Sequence, residues 1–85
     1  MTELSELRKE LDVVNSEILD LLAKRIEVVK KVGEYKKENA IPVLDETREA
    51  QIFEELGKKA QEKGLDFEGV KEIFEKIIKQ SKTYQ

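Results

Sequence analysis

The chain has 85 residues, of which 39% are hydrophobic and 41% charged, and its net charge is −3. This size supports one domain, residues 1–85, and the composition is typical of a soluble helical protein with a thin core. Since histidine and cysteine are absent, the chain lacks the usual general base, thiolate metal ligands and disulfides, so we expect neither a metal nor a cofactor.

The charge balance and the apolar pattern also exclude two classes of partner. An acidic chain with few aromatic residues lacks the basic face and stacking rings that nucleic acid requires. No leader sequence and no apolar run of membrane-spanning length is present, so we expect a cytoplasmic protein that does not bind a membrane.

A long amphipathic stretch, Glu3 to Asn39, dominates the chain. Its apolar residues recur at steps of three and four, which predicts one unbroken α-helix about 55 Å long. An 85-residue globule is only about 30 Å across, so we expect a second copy of this helix to cover the rest of the stripe. The stripe comprises Leu4, Leu7, Leu11, Val14, Ile18, Leu21, Val28, Val32 and Tyr35.

Arg25 stands on the apolar face of this helix. A buried guanidinium without a partner costs several kcal/mol, so it either pairs with an acid or is reserved for an anionic ligand. Arg8 borders the same stripe, and Lys36 lies about three turns beyond Arg25 at nearly the same azimuth. Taken singly, Arg8 and Lys36 are also compatible with side chains whose charged ends reach water.

Two shorter helices follow the turn at Pro42. Asp45 is expected to cap the second helix and Gly64 to terminate it, while Asp66 is expected to cap the third. Arg48 lies in the first turn of the second helix, where a cation opposes the helix dipole, so it is either a tolerated surface residue or directed at an anion. The apolar face of the third helix consists of Val70, Ile73, Phe74, Ile77 and Ile78.

The third stripe continues to Ser81 and Gln85, which are polar residues at positions that the helical period assigns to the interior or to a cleft. The alternative is that the chain end is frayed and solvated.

Antiparallel pairing of two first helices about a two-fold axis near Leu21 would bring distant cations together. Opposing residue numbers then sum to about 42, so Arg8 lies opposite Gly33 and Glu34, between the partner's Arg25 and Lys36. Two identical cationic pockets result, suited to a small dianion. Because no nucleophile or base is present, such a pocket suits a reaction driven by positioning and electrostatics, such as a pericyclic rearrangement.

A set of short motifs runs in order along essentially the whole chain. The motifs are Leu7-Arg8, Leu22-Ala23-Lys24-Arg25, Val32-Gly33-Glu34-Tyr35-Lys36, Ile41-Pro42-Val43 with Asp45, Arg48-Glu49, and Ile77-Ile78-Lys79-Gln80-Ser81 with Gln85. Together they resemble the all-helical class of chorismate mutase. The resemblance implies an intertwined antiparallel homodimer of three-helix chains, an isomerase that converts chorismate to prephenate in phenylalanine and tyrosine biosynthesis.

The resemblance also implies a role for each matched residue. Arg8 of one chain and Arg25 of the other would bind the substrate carboxylates, and Lys36 and Gln85 would hydrogen-bond the ether oxygen as its C–O bond breaks. The ring hydroxyl would contact Glu49 and the backbone at Asp45, a carboxylate would contact Ser81, and Arg48 would supply positive potential.

Two alternatives to chorismate mutase remain at this point. An isochorismate pyruvate lyase shares the fold and a similar cationic pocket. A non-catalytic helical dimerisation module would instead use Arg25 in an interhelical salt bridge with an acid such as Asp20 or Glu17, although it would leave Arg8, Lys36, Ser81 and Gln85 without a common explanation.

Overall fold

The computed structural model of the chain describes residues 3–42 and 46–84, apart from the side chain of Glu46. Its elements are helix α1 (Leu4–Glu38), helix α2 (Glu46–Glu62), helix α3 (Phe67–Ser81) and a short 3-10 helix, η1 (Lys82–Tyr84). The described ranges contain no strand, which confirms the predicted all-α class with three helices. The predicted cap Asp45 lies outside the described residues.

Helix α1 is continuous over 35 residues and gives the molecule its elongated shape. At about 1.5 Å per residue its axis is about 52 Å long, which confirms the predicted long first helix. The principal extents are 59 × 24 × 16 Å and the radius of gyration is 16.4 Å, against about 12 Å for a compact globule of this length. A single chain therefore cannot enclose α1.

The turn after α1 is formed before Pro42 is reached. Ala40 has a φ of 53°, and the amide of Ile41 donates to the carbonyl of Lys36 at 2.8 Å. This left-handed residue with a bond spanning five positions is a Schellman ending. The sequence predicted the position of the ending, whereas the left-handed alanine was not anticipated, because glycine usually occupies that conformation.

A tight turn joins α2 and α3 into an antiparallel hairpin. Gly64 has a φ of 73°, and the amide of Leu65 donates to the carbonyl of Ala60 at 2.8 Å, so α2 also ends in a Schellman motif. The Asp66 carboxylate accepts from the amide of Gly69 at 2.9 Å and caps α3. Both predicted signals, the glycine terminator and the aspartate cap, are confirmed.

The hairpin closes tightly because Gly57 faces the ring of Phe67. A Cβ at position 57 would come within 1.7 Å of that ring, so any side chain there would force the two helices apart. The sequence analysis did not identify Gly57 as a packing residue. Ala60 and Ile78 are buried in the same hairpin, and Val29 is the buried apolar residue of α1.

The predicted stripe of α1 is exposed in the single chain. All nine stripe residues named above remain between 39% and 65% accessible. Isolated apolar residues on a surface are ordinary, but a continuous stripe along a helix of this length indicates an interaction face. None of the helices in the described ranges combines the length and the apolar character needed to cross a membrane.

Candidate active site

Arg25 and Ser81 join the middle of α1 to the end of α3. The Arg25 guanidinium donates a hydrogen bond to the Ser81 hydroxyl, which in turn donates to the carbonyl of Ile77 at 2.7 Å. Ser81 is only 4% exposed. The prediction that Ser81 lies in the interior is therefore confirmed, and the alternative of a frayed end is wrong for this residue.

A cavity of about 140 Å³ lies beside this contact. Its wall is part apolar, from α1 and Ile77, and part polar, from Arg25, Ser81 and Gln80. Such a mixture suits a small organic ligand, because apolar surface excludes water while a few polar groups fix the orientation. The remaining lining residues are Leu22, Ala23, Ile26 and Tyr84.

The charge of Arg25 is not neutralised by an acid within the described part of the chain. Its partner there is a neutral hydroxyl, and it forms no ion pair with a described carboxylate. Asp20 and Glu17, proposed above as partners across an interface, are both exposed. Because a hydroxyl does not neutralise it, the half-buried Arg25 at the cavity wall keeps its positive charge and further N–H donors for an anionic ligand.

Tyr84 separates this cavity from a second, more open one. The second cavity, of about 360 Å³, is lined by Tyr84 together with Lys30, Gly33, Glu34 and Lys37 of α1. The Lys30 ammonium lies 5.5 Å from the centre of the Tyr84 ring, within range of a cation–π interaction. This contact holds η1 against α1 and gives the two cavities a common wall.

Glu49 joins α2 to the same region. Its carboxylate oxygen Oε1 lies 2.7 Å from the Nζ of Lys82, the residue that follows Ser81. Glu49 is half-buried in the first helical turns of α2. Two consecutive residues thus bind different helices: Ser81 contacts Arg25 of α1, and Lys82 contacts Glu49 of α2.

The other predicted site residues are not gathered by a single chain. Arg8 is exposed and lies about 25 Å from Arg25 along α1. Lys36 is half-buried and Arg48 is exposed, and each of them makes an interaction with another group. Gln85, like Asp45, falls outside the described residues.

The sequence analysis missed Lys82, Tyr84 and Lys30. Lys82 and Tyr84 follow Ser81, in a stretch where helical periodicity weakens and a chain end is expected to be polar. An aromatic residue three positions beyond Ser81 was the one available signal, because a 3-10 turn places residues i and i+3 on one side. Lys30 is exposed on α1, and its contact with Tyr84 depends on where η1 lies, which the pattern of α1 alone does not show.

The described residues of the site offer positive charge and hydrogen bonds. No group of three or more described acidic residues is arranged to hold a metal ion. The site brings together a guanidinium, a hydroxyl and a carboxylate paired with an ammonium. Such a set binds and orients an anion, and no member of it is a nucleophile activated by a neighbouring base.

The sequence profile of the family described as chorismate mutase type II matches residues 7–85. The chain belongs to this family. Membership confirms the predicted resemblance to the all-helical class of chorismate mutase. The match extends from α1 through η1 and so includes every element that forms the site.

Curated relatives differ greatly in length. The chain is 36% identical over 84 residues to the chorismate mutase of Methanocaldococcus jannaschii, covering 98% of this chain and 84% of that protein. It is 34% identical over 83 residues to the T-protein of Enterobacter agglomerans, covering 98% of this chain but 22% of that protein.

A third relative carries a different substrate in its name. The chain is 28% identical over 75 residues to the 4-amino-4-deoxychorismate mutase of Streptomyces pristinaespiralis, covering 88% of this chain and 58% of that protein. No solved structure matches the chain significantly.

Replacing Ser81 with alanine tests the central contact through stability. Ser81→Ala removes the described acceptor of the half-buried Arg25, so the free energy of unfolding should fall by about 1–3 kcal/mol. Thr83→Ala is the matched control, because the exposed Thr83 hydroxyl also donates to a backbone carbonyl, that of Gln80 at 2.7 Å. The control should change stability by less than about 0.5 kcal/mol. Equal losses in urea unfolding would show that the Arg25–Ser81 bond contributes nothing of its own.

Proposed function

We propose that this chain converts chorismate to prephenate, as a homodimer whose two active sites each combine residues of both chains. The observation that carries the proposal is Arg25, a half-buried cation at a cavity wall whose described partner is a neutral hydroxyl, in a chain of the chorismate mutase type II family. Residues 1–85 act as one domain, since the family profile spans nearly all of them.

The exposed stripe supports the dimer. Each fully buried leucine, valine or isoleucine side chain contributes about 1.5–3 kcal/mol, and the nine stripe residues of α1, eight of them of these three types, remain open to water. A second α1 packed antiparallel would cover them, and a two-fold axis near Leu21 repeats the same contacts on both sides. The M. jannaschii relative, of similar length, shows that the match does not depend on a further domain.

The same pairing would complete the site with Arg8. About the two-fold axis, Arg8 of the second copy falls opposite Gly33 and Glu34. Both of these residues line the open cavity next to Tyr84, where Gly33 has no side chain to fill the space. Arg8 would enter there, between Arg25 and Lys36, and a pair of guanidinium groups can bind two carboxylates with paired hydrogen bonds.

The reaction needs no proton transfer or covalent intermediate from the protein. In the rearrangement the ether C–O bond breaks while a C–C bond forms within the same molecule, so the enzyme must hold a compact conformer and stabilise developing charge. Lys36 and Gln85 would face the ether oxygen. A permanent ammonium there binds the transition state more strongly than the ground state, and that difference raises kcat.

The remaining site residues would recognise the rest of the substrate. Ser81, held by Arg25 and buried, would contact a carboxylate once its single hydroxyl proton turns from the carbonyl of Ile77 to that ligand, and Arg48 would add positive potential. Glu49, with the backbone at Asp45, would accept the hydrogen bond of the ring hydroxyl. In the compound named for the S. pristinaespiralis relative an amino group replaces that hydroxyl, so the choice between the two compounds is made around Glu49.

The non-catalytic alternative is weakened by the surroundings of Arg25. A dimerisation module needs an acid to neutralise this residue, whereas its described partner is a buried hydroxyl beside a cavity. An isochorismate pyruvate lyase would have a similar cationic pocket but a different substrate and product. Assays with both compounds therefore distinguish it from a chorismate mutase.

Direct assay is the first test. Incubation with chorismate should remove the absorbance of its enolpyruvyl group and yield prephenate, identified chromatographically. The rate should exceed the uncatalysed rate by about 10⁶-fold or more, since that is the lower end of the range for enzymes. A parallel incubation with isochorismate should release no pyruvate. Pyruvate release there, with chorismate unchanged, would establish the lyase instead.

Subunit mixing tests whether Arg8 and Arg25 share a site. Arg8→Ala and Arg25→Ala homodimers should each be inactive, while a heterodimer has one site with both arginines and one with neither. Random exchange should therefore restore about a quarter of the normal activity. Each variant mixed with itself is the control. Sedimentation must show two-chain species, and mass spectrometry with one variant isotope-labelled must show exchange. No recovery after demonstrated exchange would refute the shared site.

Substitution of Lys36 tests the role of charge at the ether oxygen. Lys36→Gln keeps a hydrogen-bond donor but removes the charge, and should lower kcat about a hundredfold, or about 3 kcal/mol. Lys36→Ala should be at least as damaging, and Lys31→Gln, an exposed lysine of the same helix, should be near normal. Near-normal turnover by Lys36→Gln at neutral pH would show that the charge is dispensable.

A further inference from the structure

The Lys82–Glu49 ion pair differs from an ordinary surface pair. Its Nζ–Oε1 distance is 2.7 Å, the Lys82 and Glu49 side chains are 43% and 26% exposed, and the pair joins η1 to α2 next to the buried Ser81. In contrast, Lys58 and Glu54 lie one turn apart on α2 at 3.5 Å, with both side chains 73% exposed. The Lys82–Glu49 pair therefore fixes a carboxylate at the edge of the site.

We propose that Lys82 determines substrate specificity by neutralising Glu49, so that the site accepts a ring hydroxyl and disfavours a ring ammonium at the same position. The inference rests on the proposed function, because it takes Glu49 to contact that substituent. Lys82 is not among the residues that the resemblance assigns to the site, and its place beside Glu49 comes from the geometry of η1.

The physical basis is the difference between a neutral and a charged substituent. A carboxylate oxygen has several lone pairs, so Glu49 accepts a hydrogen bond from a hydroxyl while it also accepts from Lys82. An amine at this carbon is protonated near neutral pH, as aliphatic amines are. It would gain from an unpaired Glu49, but the adjacent Lys82 ammonium cancels that attraction and repels the substrate cation.

The ratio of kcat/KM for chorismate to kcat/KM for 4-amino-4-deoxychorismate measures this specificity. Lys82→Met removes the charge at similar side-chain length, and should lower the ratio about fivefold, the upper range for a partly exposed pair. The change should come mainly from KM, since the substituent lies away from the breaking bond. Lys82→Arg should preserve the ratio, and Glu49→Gln should raise it.

Lys79→Met is the matched control, because Lys79 is an exposed lysine three residues earlier that forms no described contact with Glu49. It should leave the ratio unchanged. Loss of packing in Lys82→Met would slow both substrates alike and would not move the ratio, and circular dichroism would confirm that the variant is folded.

The outcomes separate this inference from the function on which it rests. If the unaltered protein converts chorismate and Lys82→Met leaves the ratio within twofold of normal, the specificity role is overturned and the function stands. An equal shift in Lys79→Met would also overturn it, because net charge and not the pair would be responsible. If the unaltered protein converts neither compound, the proposed function fails and this inference fails with it.

Discussion

The length of α1 is the constraint on which the rest of the structure depends. Helix α1 is about 52 Å long and carries an apolar stripe along its whole length, whereas the rest of the chain is a hairpin of two short helices. The described contacts that join the two parts include the Arg25–Ser81 hydrogen bond and the packing of η1 on α1. The buried apolar residues of the described chain, Val29, Ala60 and Ile78, are too few to balance the entropy of ordering it. The proposed dimer would add the burial of surface that one copy leaves open.

Charge is then distributed along α1 in the way that such a dimer requires. Arg25 lies in the middle of the helix with a hydroxyl as its described partner, whereas Arg8 lies near the N-terminus, too far away to act with it in one chain. Antiparallel pairing removes that distance. The long helix would thus serve both as the source of the interface and as the element that spaces the cations, so a change in its register would affect assembly and chemistry together.

Helical periodicity was sufficient to predict the long helix, the two shorter ones, the Gly64 terminator and the Asp66 cap, because these features depend on local interactions. Ser81 was also predictable, since a polar residue at an apolar position indicates a buried contact. Lys82, Tyr84 and Gly57 were not, because their roles depend on which elements meet in space. Lys82 matters through a glutamate 33 residues earlier in the sequence, and Gly57 through the ring of Phe67. The pattern of side chains along one helix does not show which residues of another element they will contact.

The position of the site at the end of α3 has a consequence for how activity would be lost. Ser81 is the last residue of α3, and Lys82 and Tyr84 belong to a single turn of 3-10 helix, held by one hydrogen bond to Arg25, one ion pair and one cation–π contact. Local opening of a short turn held by few contacts costs much less free energy than global unfolding. Heating would therefore detach η1 and open the wall between the two cavities while α1 and the hairpin remained folded. Activity would then be lost at a lower temperature than helical structure.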